Sequence, residues 1–496
     1  MGAPVLLAID QGTTGTTCLL VGVDGVVQRR AYRQVPVSYP RPGWVEQDAE
    51  ALWASVLGAS DELLADGAKP AALGITNQRE TLVVFHRDTL RAVAPAIVWQ
   101  CRRSADLCTA HREAGDEPEV RRRTGLLLDP YFSATKLEWL LRERPELRLR
   151  AEAGELCAAT VDAWLVARLT GGRTLATDAS NASRTLLYDL HTRNWSEELC
   201  RLFSVPGAML PEVVASAGRI GVTDPDAFGG RRIAIAGLAG DQQSALFGQA
   251  CLRPGMSKNT YGTGSFVLAN IGAAAVDPGH GLLTTVAWRL GDADTFALEG
   301  SIFVTGAGLQ WLRDGLGLLG SAAEAGPLFD SVPDSHGCIF VPALSGLGAP
   351  YWDPDARGAL LGLTAGVARA HLVRAVVEAM AFRTRDVVEA MEATGGIAFS
   401  ELRVDGGASV MDGLCQFQAD LLGIPVARAA STETTAVGAA WLAAVGEGLA
   451  AGPEEVAAGW RPGRRFEPAT PGRRPAESYA AWGEAVERVR SRSRRR

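Results

Sequence analysis

Short, continuous apolar runs alternate along the chain with longer segments of helical periodicity. Apolar runs occur at residues 5–9, 71–75 and 233–235, and each has the composition of a buried strand. Residues 48–66 and 370–394 place apolar side chains at intervals of three and four, which is the period of an amphipathic helix. Strands that alternate with helices are typical of α/β folds. The pattern therefore predicts an α/β protein.

A loop rich in glycine and threonine follows the first predicted strand. The strand ends at Asp10, and residues 11–17 (QGTTGTT) lead into a second predicted strand at residues 18–23. Backbone N–H groups and threonine hydroxyls in such a loop can bind phosphate oxygens, although a plain polar hairpin turn is the alternative. The acid at the end of the strand, Asp10, can hold a hydrated Mg²⁺.

The second half of the chain partly repeats this arrangement. Residues 258–265 (KNTYGTGS) lie between strand-like segments, as the loop after Asp10 does, and an α/β pattern follows each loop. Two similar α/β domains that face each other would place both loops at one cleft. Phosphate bound from both sides implies a nucleotide held between domains that can close.

Near the midpoint of the chain, a strand-like run of small residues ends at one acid and two amides, Asp241, Gln242 and Gln243. A carboxylate in this place suits the removal of a proton from a hydroxyl. The competing interpretation is that Asp241 only caps the helix that begins at Gln242. The sequence pattern alone does not decide between these two roles.

Arg79 and Glu80 form a second polar group at the end of a predicted strand, beside two amides. One interpretation is that they form a cluster of hydrogen-bond donors and acceptors. The alternative is an exposed ion pair, which contributes little to stability. Residues 178–185 (DASNASRT) are predicted to form a polar turn. The sequence contains no P-loop motif and no His or Cys cluster with metal-ligand spacing.

Composition narrows the class of protein. The chain has 496 residues, 47% hydrophobic and 21% charged, which indicates a globular protein with two or more large domains. A net charge of −7 without a basic domain argues against nucleic acid as a partner. Eight cysteines without a Cys-x-x-Cys pair, the lack of a signal peptide and the lack of a membrane-spanning apolar run predict a cytoplasmic protein. The basic residues 486–496 predict a disordered tail.

Longer stretches of the sequence, from about Val5 to about Trp482, resemble the FGGY carbohydrate kinases. Two stretches resemble the family signatures: residues 131–139 (YFSATKLEW), and residues 358–363 (GALLGL) followed by 371–378 (HLVRAVVE). Further matches, to members of the family that act on glycerol, lie at residues 42–46, 74–81, 99–103, 240–243, 259–264 and 348–354.

The resemblance implies two actin-like (ribonuclease H-like) α/β domains, residues 1–247 and 248–485, that face a central nucleotide cleft. It implies transfer of a phosphoryl group from ATP, with Mg²⁺, to glycerol, which gives sn-glycerol 3-phosphate. Asp241 would be the general base, and Asp10 would hold Mg²⁺ through water. The glycerol hydroxyls would be bound by Arg79, Glu80, Tyr131, Asp241 and Gln242, and its carbon side by Trp99 and Phe266.

The same resemblance implies nucleotide contacts from Thr13, Thr14, Gly15, Thr17, Thr263, Gly306, Gln310, Gly407 and Met411. Three of these depart from the family pattern. Gly15 stands where Ser is frequent, Thr17 where many members have Arg, and Met411 where an Asn usually meets the adenine. Gly229, Gly230 and Arg232 resemble the loop at which fructose 1,6-bisphosphate inhibits some bacterial members, and an exposed basic turn is the alternative.

The resemblance also leaves other activities open. Another polyol or sugar kinase of the family, such as a pentulose kinase, would share most of these motifs. An actin-like ATPase without a metabolite substrate would share only the nucleotide loops. Because members of the family are commonly dimers or tetramers, a homo-oligomer is expected, with no nucleic-acid partner and no membrane insertion.

Overall fold

The computed structural model describes residues 4–279, 281–470 and 477–491 of the chain, which form a mixed α/β structure. The strands are β1 Val5–Gln11, β2 Gly15–Gly22, β3 Val27–Gln34, β4 Glu46–Gln47, β5 Ala72–Asn77, β6 Leu82–His86, β7 Ala96–Ile97, β8 Leu156–Thr160, β9 Ala176–Asp178, β10 Tyr188–Asp189, β11 Asn194–Trp195, β12 Glu212–Val214, β13 Ala217–Val222, β14 Ala234–Gly240, β15 Met256–Tyr261, β16 Ser265–Gly272, β17 Leu283–Leu290, β18 Ala293–Ile302, β19 Ile339–Val341, β20 Ala359–Leu361, β21 Glu401–Asp405, β22 Val426–Ala429 and β23 Pro462–Phe466. The α-helices are α1 Ala49–Leu64, α2 Ala105–Ala114, α3 Glu117–Thr124, α4 Ser133–Glu143, α5 Pro145–Glu152, α6 Val161–Leu169, α7 Ala179–Ala182, α8 Glu197–Leu202, α9 Asp241–Gly248, α10 Gly306–Gln310, α11 Ala325–Asp330, α12 Arg369–Gly395, α13 Asp412–Leu422, α14 Thr434–Gly446, α15 Pro453–Ala457 and α16 Glu477–Val489.

Thirteen strands form one continuous sheet, in the order β23-β22-β21-β15-β16-β18-β17-β13-β14-β5-β1-β2-β3. Within it, two blocks of five strands share one topology. In the first block, β1 and β3 pair antiparallel with β2, and β5 and β14 continue in parallel from β1. In the second block, β15 and β18 pair antiparallel with β16, and β21 and β22 continue in parallel from β15. The repeat confirms that a pair of antiparallel strands encloses each Gly/Thr loop.

Helix α14 belongs to the second half of the sequence but packs on the first block. Glycines at the contacts let the backbone of α14 approach the backbones of its neighbours closely. A Cβ atom at Gly237 of β14, for example, would lie only 2.5 Å from the backbone nitrogen of Ala443 in α14. A Cβ atom at Gly438 of α14 would overlap the carbonyl of Ser244 in α9. Small residues therefore bring α14 against β14 and α9, the two elements that meet at Asp241. The predicted domain limit at residue 247 stays a prediction.

The first half of the chain also contains a small second sheet, in the order β4-β7-β6-β8. Helices α4 and α5 pack beside this sheet around a separate hydrophobic core that includes Phe132, Leu137 and Leu141. Tyr131 precedes α4, and Trp99 follows β7. This additional region therefore carries two of the predicted site residues.

Two sequence predictions need correction. Residues 178–185 are buried instead of forming a solvated turn, because Asp178 caps the short helix α7 and accepts hydrogen bonds from the N–H groups of Ser180 and Asn181. The predicted disordered tail begins too early, because α16 continues to Val489 and Val486 is buried in the hydrophobic core of the second half. Residues 492–496 of that predicted tail lie outside the described residues.

Candidate active site

Asp241 lies where β14 ends and α9 begins. Gly240 occupies the N-cap position and Asp241 is the first residue of the helix, so Asp241 is not the cap. Its Oδ1 accepts a hydrogen bond of 2.7 Å from the N–H of Gln242 and lies 3.1 Å from Nε of Arg79. The Asp241 side chain is 30% exposed. A carboxylate that is fixed through one oxygen and still reaches solvent is available to accept a proton.

Arg79 lies just after β5 and connects the predicted site residues. Its side chain is only 2% exposed, so it does not form the exposed ion pair that the sequence left open. Besides Asp241, its guanidinium contacts the hydroxyl of Tyr131 at 3.3 Å and Oε1 of Gln243 at 3.3 Å. Glu80 follows with a φ of 60°, which turns its side chain into the same buried region.

Two buried charged side chains that the sequence analysis did not identify, Arg184 and Glu299, complete this cluster. Arg184 donates from Nε to Oε1 of Glu80 at 2.7 Å and from Nη2 to Oε1 of Glu299 at 2.9 Å. Glu299 also accepts from Nη1 of Arg79 at 2.5 Å. Burial by itself would raise the pKa of Glu299, but the guanidinium groups of Arg184 and Arg79 outweigh it and lower that pKa to about 2. The carboxylate therefore stays ionised at neutral pH.

Aromatic rings lie against the polar cluster. Trp99 and Tyr131 meet edge to face with ring centroids 5.7 Å apart, and the guanidinium of Arg79 lies 5.8 Å from the centroid of Phe266. Burial raises the pKa of Tyr131, so its hydroxyl keeps its proton. The indole N–H of Trp99 donates to the hydroxyl of Thr13 at 2.9 Å. This hydrogen bond joins the aromatic side of the cluster to the first Gly/Thr loop.

Gln242 is held by a buried lysine from the second block. Nζ of Lys258 donates to Oε1 of Gln242 and, at 3.0 Å, to the hydroxyl of Thr260. Because an ammonium group can only donate, this contact fixes which end of the Gln242 amide is the oxygen. The Gln242 nitrogen is thereby left to donate to another group. Burial lowers the pKa of Lys258 to about 8.

The first Gly/Thr loop is a tight turn between β1 and β2. The N–H of Gly12 donates to the carbonyl of Gly15 at 2.9 Å, and the hydroxyl of Tyr32 donates to the carbonyl of Thr14 at 3.0 Å. That hydroxyl fills the space that a side chain at residue 15 would need, which explains the glycine there. The Gly12–Gly15 and Tyr32–Thr14 hydrogen bonds therefore fix the backbone of the loop that carries Thr13 and Thr14.

The second Gly/Thr loop connects β15 to β16 and is bonded to the start of α10. The carbonyl of Gly262 accepts from the N–H of Gly306 at 3.0 Å, and the carbonyl of Thr263 accepts from the N–H groups of Thr305 and Ala307, each at 3.0 Å. A Cβ atom at Gly306 would lie 2.6 Å from the Gly262 carbonyl oxygen, so the close contact requires glycine. Thr263 and Gly306 thus lie together.

Asp10 lies opposite Thr17 in the β1–β2 pair. Burial, then the charge of Asp241 and then that of Glu433 raise the pKa of Asp10 to about 8. The described residues contain no group of three or more His, Cys, Asp or Glu side chains arranged to hold a metal ion. One or two carboxylates that lack a neutralising partner suit Mg²⁺, which keeps most of its waters. The residues present therefore fit a hydrated Mg²⁺ at Asp10.

Family models match most of the chain. Residues 5–248 match the N-terminal domain, and residues 257–447 the C-terminal domain, of the FGGY family of carbohydrate kinases. The chain belongs to this family.

Within the FGGY family, the chain is similar to curated proteins named glycerol kinase. It is 53% identical to the glycerol kinase of Citrifermentans bemidjiense, over 97% of this chain and 98% of that protein. It is 50% identical to glycerol kinase 2 of Thermotoga maritima, with the same coverage. Among solved structures, the Plasmodium falciparum glycerol kinase with ADP matches with a TM-score of 0.92 at 32% identity, over 98% of each chain. The xylulose kinase of Rhodospirillum rubrum matches with a TM-score of 0.84 at 25% identity, over 97% of each chain.

These matches confirm the predicted fold class of this FGGY kinase. The sheet repeat places one Gly/Thr loop on each of the two blocks, as the sequence pattern predicted. None of the helices that the structure describes is long and apolar enough to cross a membrane.

Three of the remaining residues predicted to contact the nucleotide lie in the second half of this FGGY kinase, and the fourth, Thr17, lies in the first. Gln310 ends α10 and Gly407 follows β21, and both are exposed. Met411 precedes α13 and is 8% exposed, with Gly326 as a close neighbour. Thr17 is buried in β2. The nucleotide contacts of all four residues stay predictions.

The predicted effector loop of this FGGY kinase is a surface turn. Gly229 and Gly230 have φ angles of 58° and 79°, and Arg232 is exposed. The neighbouring Arg231 contacts Asp61 and is therefore occupied within the chain. Inhibition by fructose 1,6-bisphosphate at this turn stays a prediction.

Proposed function

We propose that this protein transfers the γ-phosphoryl group of ATP to a primary hydroxyl of glycerol, which gives sn-glycerol 3-phosphate. The observation that carries the proposal is the buried cluster around Arg79, which reaches Asp241 at 3.1 Å and Tyr131 at 3.3 Å. The 50% and 53% identity to proteins named glycerol kinase supports glycerol as the acceptor.

The chemistry of the cluster suits a three-carbon polyol. Glycerol carries one hydroxyl on each carbon, and each hydroxyl that leaves water needs a donor or an acceptor in its place. In our proposal Arg79 donates, Glu80 accepts, and the nitrogen of Gln242 donates because Lys258 occupies its oxygen. Trp99 and Phe266 cover the C–H side of the molecule.

The mechanism that we propose is a direct, in-line transfer. Asp241 accepts the proton of the attacking hydroxyl, while Gln242 helps to orient that hydroxyl. Phosphoryl transfer depends mainly on positioning and on neutralisation of phosphate charge. When bound, Mg²⁺ supplies part of that neutralisation, and Asp10 would hold it through water. Thr13, Thr14 and Gly15 on one side and Thr263 and Gly306 on the other would contact the phosphates, with Gln310, Gly407 and Met411 beyond them.

Two finer expectations accompany this proposal. Members of the family commonly assemble, so we propose a homo-oligomer. The eight cysteines are all free and buried, which agrees with the predicted cytoplasmic location but leaves it a prediction.

The acceptor specificity tests the proposal. We expect glycerol to be phosphorylated with a higher kcat/KM than xylulose, ribulose or erythritol. Propane-1,2-diol lacks one hydroxyl, leaves buried polar groups unpaired, and should lose up to roughly 10⁴-fold in kcat/KM. The measurement is ADP formation with each acceptor at saturating ATP. A higher kcat/KM for a pentulose than for glycerol would contradict the proposal and would indicate a sugar kinase of the same family.

A further inference from the structure

Glu299 connects the two halves of the molecule next to Arg79, a residue of the proposed glycerol site. It lies in β18 of the second block, whereas both arginines that it contacts, Arg79 and Arg184, belong to the first half. Its side chain is completely buried. Oε2 accepts from Nη1 of Arg79 at 2.5 Å, and Oε1 accepts from Nη2 of Arg79 at 3.2 Å and from Nη2 of Arg184 at 2.9 Å.

These contacts fix the plane of the Arg79 guanidinium. A carboxylate that meets two nitrogens of one guanidinium sets its orientation as well as its position. With the plane fixed, Nε of Arg79 lies 3.1 Å from Asp241, and Nη2 lies 3.3 Å from the hydroxyl of Tyr131. Glu299 itself is not one of the residues that the family resemblance assigns to glycerol. Its effect on a ligand would therefore pass through Arg79.

Arg184 keeps the second carboxylate of the cluster in place. It joins Glu299 to Glu80, and its own Nη1 has no hydrogen-bond partner among the described residues. The described hydrogen bonds of the buried Arg184 guanidinium therefore go only to these two carboxylates, which hold it in place. Glu299 thus holds Arg79 directly and Glu80 through Arg184.

We propose that Glu299 is a positioning residue that aligns Arg79, and through Arg184 also Glu80, for the binding of the polyol. The inference rests on the proposed function, since it names a further residue that acts on the same site. Because Glu299 comes from the second block, the acceptor site is complete only when both halves of the protein are in contact. The hydrogen-bond partners of Glu299 among the described side chains, Arg79, Arg184 and Ser301, lie outside both Gly/Thr loops.

The test is the variant Glu299→Gln, which keeps the shape but removes the charge. Loss of a charge-assisted hydrogen bond should raise the KM for glycerol about 10- to 100-fold. The KM for ATP should stay within about two-fold of the wild-type value, because the altered contacts serve the acceptor alone. A wild-type KM for glycerol in Glu299→Gln would overturn the inference.

A matched control separates positioning from general stability. Asp386 is a buried carboxylate in α12 that accepts from Nη1 of Arg383 at 2.8 Å, far along the chain from the cluster. Asp386→Asn should lower the melting temperature and leave the KM for glycerol unchanged. If Asp386→Asn raised the KM for glycerol as much as Glu299→Gln does, the effect would be one of stability and the inference would fail.

A double-mutant cycle gives a second readout that does not need a fully stable Glu299→Gln protein. If Glu299 acts through Arg79, adding Glu299→Gln to Arg79→Lys should raise the KM for glycerol by much less than in the wild-type background. Additive effects would contradict the inference. The controls also distinguish this failure from failure of the proposed function, in which the wild-type protein would not phosphorylate glycerol at all.

Discussion

Asp241→Asn is expected to lower kcat by about 10²- to 10⁴-fold, because the amide cannot accept the proton of the attacking hydroxyl. The fold should be unaffected, since an asparagine Oδ1 can still accept the hydrogen bond that Asp241 receives from the N–H of Gln242. The measurement is steady-state kinetics with glycerol and ATP, together with the melting temperature of each protein.

A true helix cap supplies the control for this variant. Asp48 occupies the N-cap position of α1 and accepts from the N–H of Glu50 at 2.9 Å. Asp48→Ala should cost about 1 kcal/mol of stability and leave kcat unchanged. If Asp241→Asn behaved like Asp48→Ala, with near-normal turnover and lower stability, Asp241 would be structural and not the base.

Arg79→Lys is expected to have the second large effect. Lysine keeps the charge opposite Glu299 but cannot bond it through two nitrogens while also reaching Asp241 and Tyr131. The loss of two charge-assisted hydrogen bonds amounts to about 3–6 kcal/mol, or about 10²- to 10⁴-fold in kcat/KM for glycerol. Kinetics at varied glycerol and saturating ATP measure this change.

The matched control for this variant is Arg383→Lys. Arg383 is as deeply buried as Arg79 and is paired with Asp386, and its described hydrogen bonds go to no residue of the proposed site. We expect Arg383→Lys to lower the melting temperature without a change in kcat/KM for glycerol. Equal losses of activity in the two variants would mean that Arg79 matters only for stability.

Much of the fold follows from local sequence patterns. The apolar run before Asp10 and the one before Asp241 become β1 and β14. As predicted, β14 ends directly before Asp241, whereas β1 continues one residue beyond Asp10, to Gln11. These elements were predictable because burial on both sides of a sheet requires continuous apolar runs, which are visible in a single sequence.

The supporting residues of the site were not predictable in the same way. Glu299 lies in β18, 220 residues along the chain from Arg79, and Lys258 lies in β15, 16 residues from Gln242, so no short motif connects either pair. The available signal was a charged residue whose immediate neighbours in the strand are uncharged, which rarely occurs in a buried strand unless the charge is paired. Arg184 was missed because the small polar residues around it are typical of an exposed turn, whereas here Asp178 organises them into a buried helix start.

The most direct measurement is the release of ADP by the purified protein, with Mg²⁺ and ATP, in the presence and absence of glycerol. The account predicts that ADP release depends on glycerol and that one sn-glycerol 3-phosphate forms for each ADP. Release of ADP at the same rate without glycerol, or without formation of sn-glycerol 3-phosphate, would contradict it.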